Sequence, residues 1–205
     1  MIPIIRFIID ENIYFEILVP KLIHKDNSYC QPTENLHIFD IVTLVYSNNN
    51  IKTELLEDTA DEIIAGTRCA LKNTLKNKRV LPDNITAGDA SLAFSISVHK
   101  ENENFNDSHY WLWSSLSHIQ TWLYTKDDKI YLEVSPSYPW LFSDPEPSEN
   151  YFDFEEYVKM YKPIALYEIS REKLQLWLQQ CTHVLETIKT PSAYQFYDCD
   201  KSINQ

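Results

Sequence analysis

The chain has 205 residues, 44% of them hydrophobic and 23% charged, a balance that suits a folded domain and excludes disorder over most of its length. It carries 18 Lys and Arg against 30 Asp and Glu, a net charge of −12, which repels phosphate backbones and argues against nucleic acid as a partner. Only two glycines occur, Gly66 and Gly88, where average composition would give roughly 14. Glycine-rich phosphate loops, the dinucleotide fingerprint and the Gly-x-Ser-x-Gly elbow are therefore excluded, and turns fall to the 14 Asn, the Asp residues and the 10 Pro.

At this length one domain over residues 1–189 is the expectation, with 190–205 as a C-terminal tail. The first apolar run is interrupted by Arg6 and Asp10 and lacks a preceding basic region, so it does not read as a signal peptide. No stretch approaches the roughly 18 apolar residues of a membrane span, so no membrane partner is expected. Cys30, Cys69, Cys181 and Cys199 are scattered, without a Cys-x-x-Cys pair, which predicts reduced cysteines in a cytoplasmic protein.

In chain order, 2–9 and 13–20 are β-branched runs around Asp10-Glu11-Asn12 and predict a hairpin. Residues 36–46 predict a third strand. Residues 54–77 predict a helix with Leu56, Ala60, Ile63, Thr67, Ala70, Leu71 and Thr74 in one stripe, acids in its first turns and bases at its end. Residues 91–98 alternate Leu92, Phe94, Ile96 and Val98 with small residues and predict a half-buried strand. Residues 109–113 follow as another apolar segment. Residues 119–125 and 129–135 predict a hairpin whose inner face is Ile130, Leu132 and Val134.

A Pro-rich loop, 136–150, precedes a short helix starting at Asp153, which has Glu156 three positions on, the spacing of a capping box. Residues 164–169 predict a strand. Ser170 then caps a helix over 171–188 with Leu174, Trp177, Cys181, Val184, Leu185 and Ile188 on its buried face. The order predicts an α+β fold, a mostly antiparallel sheet of about six or seven strands with two main helices packed on it.

No segment carries a diagnostic catalytic motif, so a non-enzymatic role without a cofactor is expected. His99, Glu101, Glu103, Asp107 and His109 are of metal-ligand type; a metal-dependent hydrolase built on His99, Asp107 and His109 is one alternative, weighed against a charged hairpin loop. His118 lies near Ser114, Ser115 and Ser117, a hydroxyl–imidazole combination that abundance alone accounts for. A structural or assembly subunit is the other alternative, and the oligomeric state stays open.

Residues 110–161 hold 14 of the 27 aromatics. Within them, Asp144 to Glu156 carries six acids and no base. The expected partner-binding residues are Asp144, Glu146, Glu149, Tyr151, Phe152, Asp153 and Glu155: acids for attraction of a basic protein, rings for anchoring.

The stretch Trp122-Leu-Tyr-Thr-Lys-Asp-Asp-Lys-Ile-Tyr-Leu-Glu-Val-Ser-Pro-Ser-Tyr-Pro-Trp140, then Tyr161-Lys-Pro-Ile and an amphipathic terminal helix, resembles small bacterial immunity proteins of polymorphic or contact-dependent toxin systems. The resemblance covers residues 110–188 and lies in size, acidity, scarce glycine, aromatic strands and a Pro-Trp loop; it carries no residue's role over by position. It implies a cytosolic inhibitor that binds a toxin domain tightly and without turnover; the charge of −12, the acid-aromatic segment and the missing catalytic motifs add the expectation that the toxin is basic, such as a nuclease.

Overall fold

The computed structural model describes residues 1–20, 36–100, 110–114 and 118–191. They form two compact units: Met1–Lys76 together with the segment from Ser170 on, and Asn77–Ile169. Each holds one antiparallel sheet of four strands, so two small sheets stand in place of the single sheet of six or seven. The chain is α+β, with four helices among the described residues rather than two.

In the first unit the strands are β1 (Ile2–Asp10), β2 (Ile13–Val19), β3 (Ile41–Asn48) and β4 (Ile51–Thr59), hydrogen-bonded in that order. The register sets Phe7 opposite Phe15 and Phe15 opposite Tyr46, so one face collects Phe7, Phe15, Ile17, Leu44 and Tyr46, all buried. Helix α1 (Gly66–Leu75) follows a π-helical segment, Asp61–Ala65. Helix α4 (Arg171–Thr187) is capped by Ser170, whose hydroxyl accepts from the Lys173 N–H at 3.2 Å. Its stripe is as expected: Leu174, Trp177, Cys181, Val184, Leu185 and Ile188 are buried, while Glu172, Gln179, His183 and Glu186 are exposed. Trp177 meets Phe7 of β1 at 5.5 Å between ring centroids.

Two readings are corrected here. Residues 54–59 belong to β4, not to a helix. β4 is an edge strand, and an edge leaves room for outward acids; Glu57 accepts a hydrogen bond from the Thr43 hydroxyl at 3.1 Å. The helical part of the stripe does hold, since Ala60, Ile63, Thr67, Ala70, Leu71 and Thr74 are buried. Second, the cysteines are not all reduced: Cys69 is disulfide-bonded. Cys181 is free and fully buried, and burial pushes its thiol up to about 12. The expected third strand starts later than read, at Ile41, although Leu36 and Ile38 before it are buried. The expected tail lies outside the described residues from 192 on.

The second unit holds α2 (Ala90–His99), β5 (Trp111–Ser114), β6 (Ile119–Lys126), β7 (Lys129–Pro136), α3 (Phe154–Met160) and β8 (Ala165–Ile169), with the strands hydrogen-bonded in sequence order. The β6–β7 hairpin closes through Asp127-Asp128, and β3–β4 through Asn49-Asn50. All four turn residues have positive φ, between 49° and 69°, a conformation that short Asn and Asp side chains tolerate and that replaces glycine here.

Residues 91–98 form a helix, against the strand reading. Alternation places Leu92 and Ile96 four residues apart, and Phe94 and Val98 likewise. On a helix these are two stripes about 200° apart. Each stripe has its own core: Phe94 and Val98 pack with Trp122 and Tyr124, while Leu92 and Ile96 pack with Tyr138, Phe154 and Tyr157. Ser91 and Ser95 form a third, polar stripe and are fully buried.

Trp177→Ala should lower stability by roughly 3–5 kcal/mol, because it empties a large buried site between a helix and a sheet. Urea denaturation with an unchanged m-value checks this; a loss below about 1 kcal/mol would show that the site collapses without cost.

Candidate functional site

The chemistry of the second unit centres on Glu133, in the middle of β7. Simple alternation turns Glu133 and Ser135 outward, yet both are fully buried, because α2 covers their face. The N-terminus of α2 has an unusual cap. Asp89 occupies the N-cap position without a side-chain hydrogen bond to the helix. The Glu133 carboxylate, 43 residues away, accepts from Ala90 N at 3.2 Å and from Ser91 N at 3.1 Å instead. A carboxylate there gains from the helix dipole as well.

Three hydroxyls complete the shell. Tyr124 donates to Glu133 Oε2 at 2.7 Å; Ser135 and Tyr161 donate to Oε1 at 2.7 and 3.1 Å. Gly88 N in turn donates to the Tyr124 oxygen at 2.8 Å, and the Tyr161 hydroxyl also lies 3.0 Å from Gly88 O. Gly88 has φ +98°, a conformation that needs glycine. Ser91 Oγ reaches Gln120 Oε1 and Pro136 O, each at 3.0 Å. Burial, and then the Glu133 charge, hold the Tyr124 and Tyr161 hydroxyls well above the usual tyrosine range; burial does the same at Tyr157.

Arg79 is a second buried charge. It donates to the carbonyls of Leu123 at 2.8 Å and Trp111 at 2.7 Å, and burial brings it down to about 9. It braces the β5–β6 pair.

Beyond this network lies an aromatic surface. Tyr138, Phe154 and Tyr157 are buried together, with Trp140, Phe152 and Tyr161 packed around them. The Pro-rich loop is fastened by Glu149, whose Oε2 accepts from Trp140 Nε1 at 2.9 Å and from Glu146 N at 2.8 Å. These two donors hold the Glu149 carboxyl below the usual carboxylate range. Trp140 packs on Tyr151 at 5.0 Å and on Phe152 at 4.9 Å. Asp153 caps α3 as expected, its Oδ1 accepting from Glu156 N at 2.7 Å. A cavity of about 290 Å³ opens beside the cluster, walled by Pro136, Ser137, Pro139 and Phe152 on the loop side. Tyr157, Met160 and Tyr161 form the other wall, with His118 at the edge.

Of the expected partner-binding residues, Asp144, Glu146, Glu149, Tyr151, Asp153 and Glu155 are exposed and Phe152 is half-buried. They share one loop and the first turn of α3. Three have internal duties: Glu149 fastens the loop, Asp153 caps the helix and Phe152 walls the cavity. Trp111 is partly buried and stacks on Trp122 at 5.8 Å, and Trp113 is buried.

His99 stacks on Phe154 at 4.0 Å. Glu101, Glu103, Asp107 and His109 lie outside the described residues, as do Ser115 and Ser117. Among the described residues no group of three or more His, Cys, Asp or Glu is placed to hold a metal. Among them, too, no helix is long and apolar enough to cross a membrane. A comparison with protein families, curated proteins and solved structures finds no match to this chain.

Glu133→Gln should destabilise the protein by about 2–4 kcal/mol, because an amide N–H then faces N–H and O–H donors where an acceptor stood. A lowered urea midpoint checks it; an unchanged midpoint would show that the shell rearranges freely.

The tyrosines set a limit at high pH. Their folded pKa lies above the unfolded value of about 10, so their contribution is complete below pH 10 and is lost as pH rises beyond it. Arg79 has the opposite sign, since its folded pKa is lowered, but it is one group against these three and against Tyr110 and Tyr138, whose hydroxyls burial also raises. Tyrosinate absorbance should therefore rise in two phases, the second coinciding with loss of circular dichroism. A single phase with native dichroism throughout would contradict this.

Proposed function

We propose that the chain is a non-enzymatic binding protein, an immunity-type inhibitor that neutralises a basic toxin domain by direct contact through the surface of residues 138–157. The observation that carries this reading is the fastened acid-aromatic loop. Glu149 ties Trp140 and Glu146 together, so Asp144, Glu146, Tyr151 and Glu155 are presented on a shaped surface rather than on a slack chain. A preorganised loop loses less conformational freedom on binding. Exposed acids would speed encounter with a cationic partner, and exposed rings such as Phe142 (76% exposed) and Tyr151 (57%) would slow dissociation.

The test is co-expression with the product of the neighbouring gene, followed by stopped-flow association. Asp144→Asn with Glu146→Gln should slow association severalfold at low salt and flatten its salt dependence. Stability should stay within about 0.5 kcal/mol, since neither side chain carries an internal contact described above. Glu149→Gln belongs in a separate experiment, because it loosens the loop itself. Association indifferent to salt and to the double substitution would reject this reading.

A further inference from the structure

We propose that the cavity bounded by Pro136, Pro139, Phe152, Tyr157, Met160 and Tyr161 is an anchor site for one aromatic side chain carried on a basic segment of a protein partner. The inference rests on the binding role above and names what is bound.

Three features decide the occupant. The first is the direction of the polar atoms. The Tyr157 hydroxyl donates to Pro136 O at 3.0 Å. The Tyr161 hydroxyl is engaged with Gly88 O, Glu133 and Ser135 at 3.0–3.1 Å. Both hydroxyls are thus committed to the protein's own network. Two prolines, Phe152, Met160 and the two tyrosines make most of the lining carbon, beside the polar Ser137 and His118, which favours a largely apolar occupant. The second is size. A volume of about 290 Å³ lies at the bottom of the range for small-molecule pockets and suits a single large side chain.

The third is charge. Between Asp144 and Lys162 the chain carries six acids, Asp144, Glu146, Glu149, Asp153, Glu155 and Glu156, against Lys159 and Lys162. The residues flanking an inserted ring would therefore be favoured as Lys or Arg. An acidic flank would be repelled.

Met160 supplies a probe, because the chain has only two methionines, Met1 and Met160. The full chain is labelled with ¹³C at the methionine methyls and titrated with three end-blocked peptides, Lys-Lys-Trp-Lys-Lys, Lys-Lys-Ala-Lys-Lys and Glu-Glu-Trp-Glu-Glu. The basic Trp peptide should move the Met160 methyl saturably, by ring current, and leave Met1 unmoved. It should bind at least tenfold more tightly than the Ala peptide, and the acidic peptide should not saturate. Met160→Ala, at a side chain that is 64% exposed, should keep the fold and weaken the Trp peptide severalfold by fluorescence anisotropy at both low and high salt. Equal, salt-sensitive binding of both basic peptides with an unmoved Met160 methyl would overturn the anchor site and leave the acidic surface standing. Binding of neither basic peptide would overturn both.

Discussion

A carboxylate removed from water needs several compensating donors, and Glu133 has five of them around its two oxygens. Without them its burial would cost several kcal/mol. The donors come from the start of α2, from β6, from β7 itself and from the residue after α3. One side chain therefore fixes the position of α2 over the sheet, the rotamers of Tyr124 and Tyr161, and the path of the chain at Gly88. Tyr161, whose hydroxyl reaches Glu133, also lines the aromatic cavity.

The first unit handles its buried carboxylate differently. Glu16 lies on the outer face of its sheet, almost wholly covered, and accepts from Arg6 Nε at 2.7 Å and Lys52 Nζ at 3.0 Å. Arg6 also sits 4.7 Å above the Tyr14 ring. Both cations are about half exposed, so they bury their stems and keep part of their heads wet. Charge is matched by charge there, whereas Glu133 is matched by neutral donors and a helix terminus. The second solution demands more exact placement and gives a more rigid local structure.

Much of the architecture was legible in short-range patterns. The 119–136 hairpin, the Asp153 and Ser170 caps and the stripe of α4 all follow from spacing that one element alone determines. The failures share a cause, which is that tertiary packing changed the meaning of a local pattern. Leu92, Phe94, Ile96 and Val98 alternate because α2 is wedged between two cores, and a period of two cannot tell that from a strand. Glu54, Glu57 and Asp58 resemble the first turn of a helix, but an edge strand accepts them equally well. At the site, the acids and rings of 144–155 were visible as composition. The roles of Glu149 and Glu133 were not, since each depends on a partner brought close only by the fold. A glutamate within a run of apolar strand residues reads as solvent-facing unless the helix above it is known.

The remote cap on α2 also bears on the order of folding. A helix of ten residues is marginal on its own, and this one lacks a side-chain cap from its own N-cap residue. Its cap arrives only when β7 is in place, across a separation of 42–43 residues. The entropy of closing that loop must be met before the helix gains its partner. The β6–β7 hairpin, with its tight Asp127-Asp128 turn, is local and can form first. Helix α2 is then a late arrival that docks onto a finished sheet, so substitutions along it would act on the rate of unfolding far more than on the rate of folding.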